Sequence, residues 1–117
     1  MGHTIVVCAI SGVEDGREWR LDSNHAGLVA PDSWTITIGR DKACVICLAH
    51  DNYASRFHAK LHYRENQWWL EDIESRNGTY IPSTQSFLDE TRLTGTKPLQ
   101  EGQLFRVGRT WLRLGRG

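Results

Sequence analysis

The sequence has no long apolar run and no excess of charge of either sign. No segment reaches the roughly 18 consecutive apolar residues with which a helix crosses a bilayer. Lys and Arg together number 14, as do Asp and Glu, so the formal net charge at pH 7 is zero. Domains that bind nucleic acids usually carry a basic excess. We therefore expect a soluble protein that binds neither membranes nor nucleic acids and recognises any anion through a local group of residues.

Cysteine is also scarce. Cys8, Cys44 and Cys47 are an odd number without a disulfide framework, which fits a reducing compartment. The first residues lack the charged and then apolar pattern of a secretory leader. Val6 stands where a myristoylation motif beginning at Gly2 needs Ser or Thr. We therefore expect a cytoplasmic protein.

Short β-rich runs separated by polar turns dominate the 117 residues, a length that suits one domain with a core and is short for two. No segment has convincing helical periodicity. Apolar and polar residues alternate in several runs, so these strands have one buried and one wetter face. The pattern predicts an all-β sandwich or barrel. Strands are predicted at residues 4–10, 18–21, 35–39, 45–48, 57–64, 67–72, 79–81, 103–107 and 110–114.

The connections between these strands are of two kinds. Residues 64–67 (Arg-Glu-Asn-Gln) and 107–110 (Val-Gly-Arg-Thr) read as tight hairpin turns, which imply antiparallel neighbours. Residues 22–32 and 82–98 show no strand pattern and are expected to be loops or insertions. The second stretch is polar and rich in Ser and Thr, and a loop of that length is commonly functional or mobile.

Three short motifs stand at predicted strand ends and in loops, where a sandwich gathers its recognition residues. A phosphate is held well by planar, permanently charged guanidinium groups together with hydroxyl and amide donors. Arg40, Ser55 and Arg56 supply such a set. The pattern therefore indicates a small anion site. The motifs are Gly39-Arg40, Ser55-Arg56-Phe57-His58 and Asp72-Ile73-Glu74-Ser75-Arg76-Asn77-Gly78-Thr79.

These motifs, in this order and at about these spacings, resemble the signature of the forkhead-associated (FHA) domain family. The resemblance extends from Ile36 to about Val107, and it implies a two-sheet antiparallel β-sandwich with recognition loops at one end. It implies a single FHA-like domain over residues 1–117, with a loop insertion at 82–98. Leu99, Gly102, Phe105, Val107 and Gly108 are similar to the closing strands of the family.

The resemblance also implies a function. FHA domains read phosphorylated residues with arginine clusters. By this resemblance, the chain binds phosphothreonine in partner proteins for signalling or assembly, is not an enzyme, and needs no cofactor or metal. We further expect a monomeric module that forms part of a longer protein.

Carried onto this sequence, the resemblance assigns roles residue by residue. Arg40 and Ser55 would bind the phosphate, with Arg56 as a third contact. Asn77 would hold the peptide backbone beside the phosphothreonine, and Arg76 is a further peptide contact. The scaffold of the site would consist of Gly39, His58, Ser75, Gly78 and Thr79. One departure is that the family commonly has a short Asn-Gly hairpin soon after Asn-Gly-Thr, where this sequence has the stretch 82–98.

A first alternative is a phosphate-independent protein-protein interaction domain of the same fold. Trp68 and Trp69 are adjacent in one predicted strand and so point to opposite faces of the sheet. One of the two rings would then lie on a sheet face that a folded partner contacts.

A second alternative is a metal or hydrolytic site. Cys44-X-X-Cys47 with His50 and His58 resembles part of a zinc site, but a structural zinc needs four ligands at defined spacing and no second Cys pair is present. Ser55 and His58 could pair as nucleophile and base, but no Gly-X-Ser-X-Gly elbow is present. Within the FHA resemblance the two cysteines are packing residues of a strand.

Overall fold

The computed structural model of this protein describes residues 2–83 and 86–116. Within these ranges the chain forms β-strands and no helix, so no described segment is a helix able to cross a membrane. The strands are β1 Thr4–Ser11, β2 Glu18–Asp22, β3 Leu28–Ala30, β4 Ser33–Gly39, β5 Ile46–Cys47, β6 Ala59–Arg64, β7 Gln67–Asp72, β8 Thr79–Ser83, β9 Ser86–Arg92, β10 Thr96–Leu99, β11 Leu104–Val107 and β12 Thr110–Arg116.

The strands form two sheets. One has the order β2-β1-β12-β11-β8-β9, and the other has the order β10-β7-β6-β4-β3, with the short β5 added beside β4. The β4–β5 pair is parallel and the pairs of the main sheet orders are antiparallel. The all-β sandwich of two antiparallel sheets is thus confirmed, with one parallel pair in addition.

The core lies between the sheets and follows from alternation along each strand. In β4, Trp34, Ile36 and Ile38 are buried while Thr35 and Thr37 on the other face are partly exposed. The same period of two runs through β6, β7 and the described part of β12, because successive side chains of a strand point to opposite faces. Fully buried large side chains are Trp34, Phe105, Ile5, Ile36, Ile38, Ile46, Leu48, Leu61, Leu70, Leu99, Leu112 and Leu114.

Both predicted hairpin turns are present. Arg64 pairs with Gln67 across a turn in which Glu65 and Asn66 have φ of 53° and 60°, as a type I′ turn requires. Val107 pairs with Thr110, and Gly108 between them has φ of 60°. These turns match the right-handed twist of the strands that they join.

The prediction that residues 22–32 and 82–98 are loops is wrong. The first stretch contains β3, and the second contains most of the β8–β9 hairpin and then β10, although residues 84 and 85 lie outside the described residues. All three missed strands are at sheet edges. An edge strand has one neighbour and is commonly short or polar, and it tolerates a proline such as Pro98. The missed strands therefore lack the apolar alternation that marks central strands.

Strand order and register bring several chain segments to one end of the sandwich. Ala59, the first residue of β6, pairs with Ile38 near the end of β4 and with Asp72 at the end of β7. Thr79, the first residue of β8, pairs with Val107 at the end of β11. The loops that follow β4, β5 and β7 therefore lie side by side.

Candidate functional site

Three loops at this end carry the residues singled out by sequence. We call them the Arg40 loop (residues 40–45), the Ser55 loop (residues 48–58) and the Asn77 loop (residues 73–78). They connect β4 to β5, β5 to β6 and β7 to β8. Arg40, Arg56, Arg76 and Asn77 are exposed and Ser55 is half-buried, so their side chains are accessible together at one surface.

Main-chain hydrogen bonds join the Arg40 loop to the Ser55 loop. The amide of Arg40 donates to the carbonyl of Ser55 at 3.0 Å, and the amide of Asp41 donates to the carbonyl of Arg56 at 3.1 Å. The Arg40 guanidinium is anchored through Nε, which donates to the carbonyl of Ala54 at 3.2 Å. The two terminal guanidinium nitrogens have no partner among the described residues and remain available to an anion.

Gly39 allows the close approach of these two loops. A Cβ at this position would lie 2.2 Å from the carbonyl oxygen of Arg56 and 2.9 Å from Sγ of Cys44. The backbone of Gly39 does not need the left-handed region, so the requirement for glycine is one of space. This contact places Arg40 and Arg56 beside each other although 16 residues separate them in sequence.

The Ser55 and Asn77 loops are joined by the predicted contact residues themselves. Ser55 Oγ accepts the amide hydrogen of Arg76 at 3.0 Å, and Asn77 Nδ2 donates to the carbonyl of Tyr53 at 2.8 Å. Because Ser55 Oγ is occupied as an acceptor here, its own hydrogen is left to donate to a ligand. The side-chain oxygen of Asn77 can likewise still accept from a peptide amide.

His58 is the buried link beneath these loops. Its imidazole is fully buried, with Nδ1 2.9 Å from the amide nitrogen of Ser55 and Nε2 2.9 Å from the carbonyl oxygen of Gly78. An amide only donates and a carbonyl only accepts, so Nδ1 is unprotonated and Nε2 carries the hydrogen. The ring therefore ties the Ser55 loop to the Asn77 loop as a neutral imidazole.

The hydrogen bonds of His58 and Ser55 also test the alternative in which the two residues act as base and nucleophile. His58 bonds the main-chain amide of Ser55, whereas the Ser55 hydroxyl bonds the amide of Arg76. A nucleophilic serine needs its hydroxyl hydrogen bonded to the base. The pairing of Ser55 and His58 as nucleophile and base is therefore not formed, and the relation between them is structural.

The His58 imidazole should make folding sensitive to acid. Burial lowers the pKa of His58 below its ordinary value of 6.5, and the bond to the Gly78 carbonyl only partly opposes this. The unfolded chain then binds a proton near pH 6.5 that the folded chain binds only at lower pH. The free energy of unfolding should therefore fall as the pH drops below about 6.5, by at most about 1.4 kcal/mol per pH unit from this group.

An NMR titration of the His58 Cε1 proton checks this expectation. We expect a midpoint below 6.5, with shifts of the Ser55 amide resonance over the same pH range, because protonation of Nδ1 removes its acceptor. A midpoint at or above 6.5 would contradict a buried neutral ring. Chemical denaturation at pH 7.5 and pH 5.5 provides the matching measurement of stability.

The Asn77 loop has its own internal bracing. Asp72 Oδ1 accepts hydrogen bonds from the hydroxyls of Ser75 at 2.5 Å and Thr79 at 2.8 Å. Ser75 Oγ in turn accepts the amide hydrogen of Gly78 at 3.0 Å. Gly78 has φ of 87°, a left-handed conformation that glycine adopts without strain. These contacts hold the loop in the shape that presents Asn77.

The arginines of the chain differ in their charge pairing, and Arg64, at the opposite end, also lacks an ion pair among the described residues. Arg17, Arg20 and Arg106 each form an ion pair with a glutamate. Arg40, Arg56 and Arg76 have no carboxylate within 4.0 Å in residues 2–83 and 86–116. A chain with zero net charge therefore carries a local group of uncompensated positive charges, as expected for an anion site.

Asp51 positions the Ser55 loop and was not among the predicted site residues. Asp51 is 1% exposed, and its carboxylate accepts the amide of Tyr53 at 2.9 Å, the amide of Arg109 at 2.9 Å and the hydroxyl of Thr110 at 2.7 Å. The bond to Tyr53 is a local Asx turn, for which an aspartate in a loop is a signal. The other two partners are almost 60 residues away, and the sequence contains no signal for them.

Two exposed rings beside the site were also missed. Tyr53 is 45% exposed and Phe57 is 49% exposed, and both belong to the Ser55 loop. The guanidinium carbon of Arg109 lies 3.7 Å from the centre of the Tyr53 ring, a cation–π contact. Aromatic side chains next to uncompensated arginines offer apolar and charged contacts to a peptide at the same surface.

The remaining sequence alternatives can be placed in the structure. Within the described residues, no group of three or more His, Cys, Asp and Glu side chains is arranged to hold a metal ion. Ile46 and Leu48 point into the core as predicted. The prediction that both cysteines belong to a strand is wrong for Cys44, which is buried in the Arg40 loop before β5 begins at Ile46. Trp68 belongs to the core, whereas Trp69 is half-buried on the outer sheet face with the Arg64 guanidinium 5.0 Å from its ring.

Comparison with known proteins agrees with this architecture. The sequence model of the FHA domain matches residues 36–108. The FHA domain-containing protein FhaB of Mycobacterium tuberculosis (strain ATCC 25618 / H37Rv) is 35% identical over 79 residues, which are 68% of this chain and 46% of FhaB. FhaB of Mycolicibacterium smegmatis gives the same identity and shares. The chain thus spans about half the length of the curated relatives it matches.

Solved structures share the fold. The FHA domain of CT664 from Chlamydia trachomatis has a TM-score of 0.72 and 24% identity, covering 97% of this chain and 98% of that chain. EmbR of Mycobacterium tuberculosis, in complex with a low affinity phosphopeptide, has a TM-score of 0.71 and 18% identity, covering 98% of this chain and 25% of EmbR. At these identities the likeness establishes the fold of the whole described chain.

Proposed function

The chain belongs to the forkhead-associated (FHA) domain family, and we propose that it binds phosphothreonine in partner proteins through its three site loops. FHA domains are binding modules, and on this proposal the chain catalyses nothing itself. Arg40, Ser55 and Arg56 contact the phosphate, while Asn77 and Arg76 contact the peptide. Gly39, His58, Ser75, Gly78 and Thr79 hold the loops in place without contacting the ligand.

The proposal rests on one observation: hydrogen-bond donors without a partner lie together on a surface whose loops are held by hydrogen bonds. The terminal nitrogens of Arg40, the guanidinium of Arg56 and the hydroxyl hydrogen of Ser55 have no partner among the described residues. Their main-chain groups take part in hydrogen bonds of 2.9 to 3.1 Å within and between the loops. Donors held before the ligand arrives lose little conformational entropy on binding.

The chemistry of phosphate fits these donors. A phosphate monoester carries about −1.5 to −2 charges at pH 7 and three strong acceptor oxygens. The forked guanidinium groups of two arginines match that geometry better than a lysine would. EmbR, which shares this fold, is seen with a phosphopeptide, and this supports a phosphopeptide as the class of ligand.

The expected affinity is moderate. Hydrogen bonds to a charged group contribute about 1.5 to 3 kcal/mol each, so three of them contribute about 5 to 9 kcal/mol. Much of this is offset by the translational and rotational freedom lost on association. Contacts of the peptide with Asn77 and its neighbours supply the rest, and we expect a dissociation constant in the micromolar range.

Fluorescence anisotropy with degenerate peptide pools tests the proposal. Three matched pools contain phosphothreonine, phosphoserine or unphosphorylated threonine at the fixed position. We expect micromolar binding to the phosphothreonine pool and clearly weaker binding to the other two. Equal binding to all three pools, or binding to none, would contradict the proposal. Binding of an unphosphorylated folded partner would favour the phosphate-independent alternative on the sheet face that carries Trp69.

A further inference from the structure

The thiols of Cys44 and Cys47 contact the main chain of the two arginines proposed to bind the phosphate. Cys44 Sγ is 3.2 Å from the main-chain carbonyl oxygen of Arg56, and Cys47 Sγ is 3.6 Å from that of Arg40. In both contacts the S–H group donates and the carbonyl accepts. Two of the three residues proposed to bind the phosphate thus each accept a hydrogen bond from a cysteine at their main-chain carbonyl.

The two sulfurs lie on the same side of β4. Gly39 pairs with Cys47 in the parallel β4–β5 ladder, and paired residues of neighbouring strands project to the same face of a sheet. A Cβ on Gly39 would lie 2.9 Å from Cys44 Sγ. The neighbouring pair, Ile38 and Ile46, is fully buried, so this side of Gly39 faces away from the core. Both thiols therefore lie beside Gly39, on its outer side.

The two thiols differ in solvent exposure, which favours a reaction in which Cys47 is oxidised first and Cys44 second. Cys47 is partly exposed, whereas Cys44 is only 5% exposed. Burial is the largest cause that raises the pKa of Cys44 above its ordinary value, followed by the charge of Asp41 and then by the nearby Cys47. Since a thiolate is the attacking species, an oxidant reaches Cys47 first and Cys44 follows.

We propose that Cys44 and Cys47 are a site of reversible disulfide formation, and that the disulfide weakens phosphothreonine binding by releasing the carbonyls of Arg56 and Arg40. The second half of this proposal rests on the proposed function. The first half concerns only the two thiols and stands without it.

The reaction is a thiol–disulfide exchange with a small-molecule disulfide such as oxidised glutathione. The Cys47 thiolate attacks one sulfur of the disulfide, forming a mixed disulfide and expelling one thiolate. The Cys44 thiolate then attacks the Cys47 sulfur and expels the second. The protein loses two electrons and two protons, and the small disulfide is reduced to two thiols. A reducing dithiol reverses the exchange.

Formation of the Cys44–Cys47 disulfide removes hydrogen bonds to the main chain of the proposed phosphate site. Both S–H donors disappear, and the sulfurs are drawn to about 2.05 Å from each other, away from the two carbonyls. The Arg56 carbonyl keeps the amide of Asp41 as its donor, whereas the Arg40 carbonyl loses the only donor that the described residues provide. The backbones of both arginines are then less firmly held, so their guanidinium groups are less well placed for one phosphate.

The test uses the whole chain equilibrated in mixtures of oxidised and reduced glutathione. Free thiols are then alkylated under denaturing conditions, and mass spectrometry locates the disulfide, while anisotropy measures binding of a phosphothreonine peptide to the same samples. We expect a Cys44–Cys47 crosslink and an affinity about five- to tenfold lower, the size of one lost hydrogen bond, restored by dithiothreitol.

Two variants serve as controls. Cys47→Ser removes the disulfide but keeps a donor for the Arg40 carbonyl, so its affinity should no longer respond to oxidation. Cys8→Ser leaves the pair intact and should respond like the unmodified chain. Absence of the crosslink under oxidising mixtures overturns the proposed modification site. A crosslink with unchanged affinity overturns the coupling to binding. If the reduced chain binds no phosphothreonine peptide, the proposed function fails, while the crosslink still decides the modification site.

Discussion

Arg40→Ala should weaken binding of a phosphothreonine peptide by about 100-fold. The substitution removes a permanently charged group whose two terminal nitrogens are uncommitted, and loss of one or two hydrogen bonds to a phosphate corresponds to about 3 kcal/mol. The fold should be nearly unaffected, because Arg40 is exposed and its side chain makes one described contact, with the Ala54 carbonyl. Fluorescence anisotropy measures the affinity, and thermal unfolding verifies that the variant is folded.

The matched control for this variant is Arg64→Ala. Arg64 is also an exposed arginine at a strand end, but it lies at the turn between β6 and β7, at the opposite end of the sandwich. Both variants lose one positive charge, so a general effect of charge would appear in both. Arg40→Lys should fall between the two, since it keeps the charge and loses the fork. A similar loss of affinity in Arg40→Ala and Arg64→Ala would contradict the assignment of the site.

Gly39→Ala should both destabilise the fold and weaken binding. The added Cβ would lie 2.2 Å from the Arg56 carbonyl oxygen and 2.9 Å from the Arg56 carbonyl carbon. These are main-chain atoms, so the Arg40 and Ser55 loops must separate. We expect a loss of about 2 to 4 kcal/mol in the free energy of unfolding, in the range of strongly overpacked positions. Chemical denaturation measures this loss.

The effect of Gly39→Ala on binding distinguishes a local displacement from general instability. Gly102→Ala is the control, because a Cβ at Gly102 meets nothing within 4 Å although its φ of 84° is unfavourable for alanine. That variant should cost about 1 to 2 kcal/mol of stability and leave the affinity unchanged. Gly39→Ala should lower the affinity at a temperature at which both variants are fully folded. Equal affinities in the two variants would count against a role for Gly39 in setting the site.

Some side chains of the site hold the loops in place, and others are left free to contact the ligand. Main-chain amides of the loops donate to the side chains of His58, Asp51, Asp72 and Ser75, and these bonds hold the loop backbones. Arg40, Ser55 and Arg56 are held through main-chain hydrogen bonds. Asn77 is held through its side-chain amide, which donates to the carbonyl of Tyr53. The charged groups of the two arginines are thereby left unpaired, which explains why a neutral chain can present a local positive surface.

The central strands were predictable from sequence because their period of two is strong. The predicted strand 67–72 coincides with β7, and the turn at residues 64–67 has the expected hairpin geometry. The edge strands β3, β9 and β10 were not predictable in the same way. Each has a single neighbour, and an edge strand is commonly short or polar, so its composition need not differ from that of a loop.

For the candidate site, too, some features could be predicted from sequence and others could not. The motif residues Arg40, Ser55, Arg56 and Asn77 could be named from their types, order and spacing. Their contacts could not be, because the Ser55 hydroxyl meets the Arg76 amide and the Asn77 amide meets the Tyr53 carbonyl only after three loops have come together. The role of Asp51 could not be predicted for the same reason, since two of its three partners belong to a hairpin almost 60 residues away.

By itself the sequence determined the fold class, the family signature and the chemical types of the site residues, because strand periodicity, turn residues and motif order are local properties of the chain. Only the tertiary structure decided which donors are paired and which are free, and it placed two thiols behind the two arginines. Those properties depend on strand register and on loop approach at Gly39, and both are set by packing between residues distant in sequence.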